Sequence, residues 1–408
     1  MKIAFNAIRV SGKAGSGFDT FIINFLNAFA KICPQEIVYR IYTLYPDHFV
    51  DVPKENIIQV KIPLLKSRNL SYKTRIYVQC KEINKSSKLI FLKPLYYFVG
   101  DYLRMLWTQF FFPFYARKYD IIISLTEYEA IPFFNNQIVI IHNTVPYLFP
   151  EFETKYRFYT YKLLPKVLKK VKKIVVVSKI LKDELIKLFG IKEEKVSVIY
   201  EGIDLKIFNI SKEEDVNNYK KQLDISGEYI VTVGHSSPMK NFLGTIKSFA
   251  LVRQKYNINL VVVGHMQKKF KDYVVNLVKE FGIENNVYLL GHIEHHQLNL
   301  LYSGAKMFVF PTLHEGFGLP PLEAMACGCP VVVSDGGSLP EVVGDAGVYV
   351  NPYDVESIAE GILKVLNDEN LRKELINKGF EQVKKFSWGK AAKEFLNILI
   401  EIEKEIRV

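Results

Sequence analysis

No apolar run in this 408-residue sequence is long enough to cross a bilayer. The longest strongly apolar, uncharged stretch, Met105 to Ala116, has 12 residues and contains Pro113, against the roughly 20 that a spanning helix needs. The chain is therefore expected not to cross a membrane. Cysteine is scarce as well. Cys33, Cys80, Cys327 and Cys329 form no Cys-x-x-Cys pair with matching histidines, which argues against a zinc framework and a disulfide-built fold. A reducing cytoplasm is the simplest compartment. The opening Lys2-Ile-Ala-Phe5 reads as a strand and lacks a basic-then-apolar leader, so no export signal is expected. Low-complexity tracts and repeats of solenoid length are missing too. So are helix-turn-helix, finger and RNP-like motifs, and nucleic acid is not an expected partner even at a net charge of +11.

What is present is an ordinary globular composition, 49% hydrophobic and 24% charged, at a length that suits two or three domains. The charge is uneven. Residues 1–205 hold 31 Lys and Arg against 18 Asp and Glu, whereas 206–408 hold 23 against 25. Two basic stretches, 61–104 and 162–173, stand out, and the first is interleaved with aromatics from Tyr72 to Trp107. That mixture suits anionic lipid headgroups; a solvated basic face with its aromatics in the core is the alternative.

Short apolar strands alternate with helical segments along the chain, the pattern of parallel sheets covered by helices. Strands are expected near 2–5, 38–43, 57–60, 121–124, 138–141, 174–177 and 196–199, then near 229–233, 259–263, 287–290, 307–310, 331–334 and 347–350. Helices are expected near 17–30, 98–117, 158–170, 179–189, 241–255, 270–281, 296–304, 320–327 and 355–367. The fold class is α/β, with two doubly wound, Rossmann-like units. The polar stretch 204–228 separates a first domain, 1–205, from a second, 206–387. Ligands of such sheets bind beyond the carboxyl ends of the strands, so two facing units would enclose a cleft.

The most informative block is 314–347. Gly316 and Gly318 lie just before a helix opened by Pro320-Pro321, where free backbone N–H groups and the positive dipole end favour a phosphate. Glu315 on the loop and Glu323 on the helix flank that place. A carboxylate does not face a diphosphate comfortably, so the two glutamates suit hydroxyls on either side of it. Taken singly, either could be an ordinary helix-cap charge.

The run Pro311 to Gly347 resembles the donor-binding signature of the retaining nucleotide-sugar glycosyltransferases of group 1 (family 4). Val231-Thr-Val-Gly234, Pro238-Met-Lys-Asn241, Val261-Val-Val-Gly264, Leu290-Gly-His-Ile293 and Phe386-Ser-Trp388 fall in that family's order. Gly12-Lys-Ala-Gly-Ser-Gly17, Ile141-His-Asn143 and Val198-Ile-Tyr-Glu-Gly-Ile-Asp204 extend the likeness into the first half. The resemblance implies the GT-B architecture, with donor on the second domain, acceptor on the first, and a last helix, 388–408, crossing back.

It further implies donor contacts at Gly15, Gly17, Gly234, His235, Lys240, Ile293, Gly316, Phe317, Gly318, Leu319 and Glu323, with His142 and Glu315 as catalytic residues. Lys240 would meet the diphosphate, Glu323 the ribose, Glu315 the sugar hydroxyls, the backbone near Ile293 the base, and His142 the sugar or acceptor. Taken alone, Gly12 to Gly17 is also consistent with a plain tight turn, and His142 with a structural histidine. The chain departs from the pattern at Asn143, where the family usually has aspartate, and at Met239 and His235, where it usually has an arginine. No metal or other cofactor is expected, since lysine and helix amides supply the positive charge and no Asp-x-Asp motif is present. The expected activity is retaining transfer from a nucleoside-diphosphate sugar, GDP-mannose-like ahead of a UDP-sugar, to a saccharide or lipid-linked saccharide. A cytoplasmic protein touching the anionic inner face of the cell membrane would fit. A non-catalytic sugar-nucleotide-binding relative, a sugar-nucleotide epimerase and a phosphorylase are the alternatives.

Overall fold

The computed structural model describes residues 1–10, 17–60, 103–132, 134–152, 156–234 and 237–407. Gly15, His235 and most of the basic aromatic stretch 61–104 lie outside them. Seven strands form the first sheet: β1 Lys2–Ala7, β2 Val38–Thr43, β3 Ile57–Gln59, β4 Ile121–Ser124, β5 Gln137–Ile141, β6 Lys173–Val176 and β7 Val196–Val198. Their spatial order is β3-β2-β1-β4-β5-β6-β7. Six more form the second: β8 Tyr229–Val233, β9 Asn259–Val263, β10 Val287–Gly291, β11 Phe308–Phe310, β12 Val331–Ser334 and β13 Gly347–Val350, in the order β10-β9-β8-β11-β12-β13. The pairings across both sheets are parallel. Each strand order reverses once, between β1 and β4 and between β8 and β11. Cleft residues are expected at those two switch points.

Alternation along the strands feeds both faces. Ile3 and Phe5 of β1 join the core under helix Gly17–Ile32, whereas Ala4 faces Phe112 and Ala116 on the opposite side. In the second sheet Ile230, Leu260 and Val309 pack under helices Phe242–Arg253 and Val355–Asn367. The other face belongs to an apolar cluster continuous with that of the first half. Helix Trp388–Arg407 lies along helix Gly17–Ile32: Phe395 stacks edge-on with Phe25 at 5.2 Å and Trp388 with Phe21 at 5.8 Å. The amino terminus pairs with Glu403 at 3.2 Å. Gly202 permits this crossing, because a Cβ there would lie 2.1 Å from the backbone nitrogen of Trp388.

Four helices among the described residues were not expected from the sequence, the shortest of them Val145–Leu148. Helix Glu213–Gln222 occupies the polar stretch taken as a connector; only Val216 and Tyr219 are buried, too few apolar residues to give a visible period. Its ends nonetheless obey the dipole, with Glu213, Glu214 and Asp215 in the first turn and Lys220 and Lys221 in the last. Helices Leu339–Val343 and Glu369–Val383 complete the set.

Candidate active site

The second sheet's switch point carries the glycine-rich block. After β11 the chain runs through Pro311 to Gly318 and enters helix Leu319–Ala326, with prolines in its first turn and Gly318 at φ +106°. Only glycine adopts that φ without strain. Behind the loop, the Ser338 backbone N–H and hydroxyl both donate to the Glu315 carbonyl, at 3.0 and 3.1 Å. Phe317 and Leu319 point into the core, so this loop can offer a ligand only backbone amides and Glu315.

After β8 the chain makes a turn at Pro238–Lys240. The Lys240 ammonium donates to Glu315 Oε1 at 2.7 Å, with 18% and 13% of the two side chains exposed. It also lies 5.1 Å from the centre of the Phe310 ring. Gly234 sits against the Lys240 stem, and a Cβ at Gly264 would lie 1.4 Å from the Gly234 carbonyl oxygen. Gly264 in turn donates to the Gly291 carbonyl at 2.6 Å, two residues before the buried Ile293. The ends of β8, β9, β10 and β11 therefore form one continuous floor.

The first half meets this floor at Gly316. A Cβ at Gly316 would lie 1.7 Å from the His142 carbonyl oxygen, and the Ser178 hydroxyl donates to the Gly316 carbonyl at 2.8 Å. Glu341 and His314 bind the halves together further. Glu341 accepts the Lys179 and Ile180 backbone N–H groups at 2.9 and 2.8 Å, and the Tyr200 hydroxyl at 3.0 Å. That carboxylate caps the start of helix Lys179–Phe189, where the dipole favours a negative charge. His314 Nε2 pairs with Glu184 at 2.9 Å, and Thr144 donates to the same carboxylate.

His142 follows β5 directly and is buried. Its Nε2 donates to the Leu125 carbonyl at 2.9 Å, its Nδ1 lies 3.3 Å from Glu201 Oε1, and Phe18 and Phe21 close on the ring edge-on. Burial alone would lower its pKa. The hydrogen bond and charge of Glu201, with the charge of Glu127, outweigh burial and hold the imidazole above its ordinary value. Glu127 and Glu129 lie beyond β4, at the first sheet's switch point. Both are raised by burial, Glu129 to about 8, although the Arg9 backbone N–H donates to Glu129 at 3.2 Å. Glu127 faces the Asn143 amide at 3.4 Å. One oxygen of each carboxyl has no hydrogen-bond partner among the described residues.

Two family models divide this chain: "Glycosyl transferases group 1" matches residues 211–382 and "Glycosyltransferase Family 4" matches 82–207. O-antigen chain mannosyltransferase B of Escherichia coli is 33% identical over 263 residues, 64% of this chain and 69% of that protein. The chain belongs to the group 1 glycosyl transferases. The O-antigen chain mannosyltransferase RfbU of Salmonella typhimurium is 29% identical over 357 residues, covering 87% of this transferase and 88% of its own length. Sucrose-phosphate synthase of Thermosynechococcus elongatus superposes with a TM-score of 0.72 over 99% of both chains at 20% identity. At that identity it shows the fold alone, two facing parallel α/β domains of GT-B type.

Against the sequence expectations for this transferase, the structure brings Gly234, Lys240, Ile293, Glu315, Gly316, Gly318 and Glu323 to the carboxyl ends of one sheet and the helix that follows β11. It alters three details. Lys240 is held by Glu315 directly. Both nitrogens of His142 are engaged within the protein, so its ring reaches a ligand only by giving up one of those bonds. Glu323 is buried, with the Tyr302 hydroxyl 3.5 Å away, and burial pushes its carboxyl up to about 8. Gly17 stands in open space, with nothing within 4 Å of an added Cβ. Met239 is a core residue, so it leaves no cation where the family usually has one. Sequence reading missed Glu127, Glu129, Glu184, Glu201 and Glu341. Glu201 and Glu341 lay in segments already singled out, but the partners of Glu341 are 141 to 162 residues away.

The raised acids set a pH dependence. Between about 4.5 and 8 the unfolded chain has lost protons that native Glu129 and Glu323 retain, so stability is highest at the acid end and falls as pH rises. His142 and Glu127, also raised, act in the same direction. Melting temperatures taken from pH 5 to 8 are expected to decline for the wild type. Glu129→Gln and Glu323→Gln should each flatten that decline, on the order of a few kcal/mol across the range. An unchanged slope in both variants would refute the assignment.

Proposed function

We propose that this transferase moves a hexose, mannose foremost, from a nucleoside-diphosphate donor to a saccharide or lipid-linked saccharide in cell-surface polysaccharide synthesis, with retention at the anomeric carbon. The observation that carries it is the Lys240–Glu315 pair beside the backbone of Gly316 to Leu319, at a helix start that no side chain caps. As the bond to the leaving diphosphate breaks, negative charge grows on its oxygens. Lys240 and the N–H groups of Gly316 to Leu319 neutralise that charge without reorganising, which lowers the barrier. A divalent metal is not required for this step. Glu315 holds sugar hydroxyls, and Glu323, carrying a proton near neutral pH, exchanges hydrogen bonds with the ribose. Attack comes from the face the leaving group departs, through an oxocarbenium-like state. His142, fixed by Leu125 and Glu201, positions the Gly316 loop through its backbone. Mannose is preferred because relatives in two bacteria are named O-antigen chain mannosyltransferases, and a guanosine base is placed ahead of uridine. The protein would work in the cytoplasm, at the inner face of the membrane.

A thermal-shift screen against GDP-, UDP-, ADP- and dTDP-sugars tests the donor. One nucleotide sugar should raise the melting temperature in the presence of a metal chelator, and Glu323→Ala should cancel the shift. Silence across all four would favour a protein that does not use nucleotide sugars. Sugar interconversion without acceptor would favour an epimerase.

A further inference from the structure

Helical residues 103–116 present an inverted arrangement. The inner face is satisfied: Thr108 accepts from the Asn6 amide at 3.3 Å, and Phe112 packs edge-on against Tyr42 at 5.2 Å. The outer face should be polar and is not. Leu106, Phe110, Phe111, Phe114 and Tyr115 are 47%, 61%, 58%, 65% and 55% exposed. These positions, spaced i, i+4, i+5, i+8 and i+9, make one continuous stripe. A single exposed phenylalanine is normal, but five large apolar side chains on one face mark a contact surface.

Charge indicates the partner. No acidic residue occurs between 103 and 119, and the exposed Arg117 and Lys118 end the stripe. The Arg117 guanidinium lies 4.8 Å from the Phe114 ring centre. The helical segment 157–170 meets this helix at a single carbonyl: Gln109 and the Tyr159 hydroxyl both donate to Ala130, at 2.9 and 2.8 Å. Its first turn holds Phe158, 70% exposed, and it carries the exposed Lys162, Lys166, Lys169 and Lys170. Aromatic side chains beside lysines and arginines suit the boundary between acyl chains and anionic headgroups. Among the described residues no helix is long and apolar enough to span a bilayer, so such a face would lie in its plane.

We propose that the outer face of helical residues 103–116, assisted by Phe158 and the neighbouring lysines, docks this protein on an anionic bilayer. This deepens the reading of a lipid-linked acceptor by naming the surface that would meet it, and rests on that reading only for its purpose. The test is sedimentation of the full chain with phosphatidylglycerol-containing vesicles and with phosphatidylcholine vesicles. Binding should require phosphatidylglycerol and weaken with salt. Phe110→Ser/Phe111→Ser/Phe114→Ser should lower partitioning about tenfold or more, with melting temperature and nucleotide-sugar shift unchanged. Brominated lipid should quench Trp107, which shares the helix, and not the buried Trp388. If the triple variant misfolds, Leu106→Ser/Tyr115→Ser tests the same face. Wild type that never sediments, a folded variant that sediments equally, or a dimer that the variant splits while vesicles are ignored would each overturn the proposal. Vesicle binding needs no donor, so a silent nucleotide-sugar screen would leave its outcome intact.

Discussion

An alanine at position 316 is expected to abolish most transfer while leaving both sheets folded. Its Cβ would sit 1.7 Å from the His142 carbonyl oxygen and 2.9 Å from the carbonyl carbon. Backbone atoms cannot rotate aside as a side chain can. Either the loop from Pro311 to Gly318 backs away, breaking the Ser178 hydrogen bond to Gly316, or the two halves part. Both responses displace Glu315 and the helix amides by on the order of an ångström, a misplacement that costs about 10²-fold or more in rate. Steady-state kcat/KM is the measurement, with circular dichroism as the folding check. Gly389→Ala is the comparison, since nothing lies within 4 Å of a Cβ there and the site is helical. Wild-type kcat/KM in the Gly316→Ala protein would show that the halves need not meet at this point during turnover.

Replacing Lys240 with alanine is expected to lower kcat by about 10²-fold or more, the usual loss when one preorganised donor to developing charge is removed. The geometry separates this role from a structural one. Lys240 and Glu315 are mostly buried and 2.7 Å apart, so removing either leaves a poorly solvated charge without its partner. Each single variant should therefore be destabilised. The double variant Lys240→Ala/Glu315→Ala should recover part of that stability, with a coupling of about 1–3 kcal/mol in a double-mutant cycle. Because Glu315 has its own role toward the sugar, the readout is the thermal shift given by the nucleoside diphosphate alone: if the lysine only balances the glutamate, that shift should recover along with stability. If it meets the diphosphate, the double variant should regain part of its stability yet show no nucleoside-diphosphate shift.

Much of this was legible in the sequence because the signals are local. All thirteen strands lie within a residue or two of where apolar runs between turn residues placed them, since a strand buried on both faces is continuously apolar. The prolines opening helix Leu319–Ala326 and the glycines before it located the anion-favouring helix start. Helix Glu213–Gln222 was overlooked because two buried residues give no period. Glu341 was overlooked because its partners, the amides of Lys179 and Ile180, belong to the other half.

The sequence by itself therefore determined the alternation of elements, the paired doubly wound units and the chemical types gathered at one glycine-rich turn. Backbone propensity, capping and apolar period act over a few residues, so they can be read without the fold. Only the tertiary structure decided what those groups can do. It joined Lys240 to Glu315 across 75 residues, engaged both nitrogens of His142 through Leu125 and Glu201, and buried Glu323 until its carboxyl keeps a proton near neutral pH. Charge proximity and desolvation depend on which distant segments approach one another, and that is settled by packing.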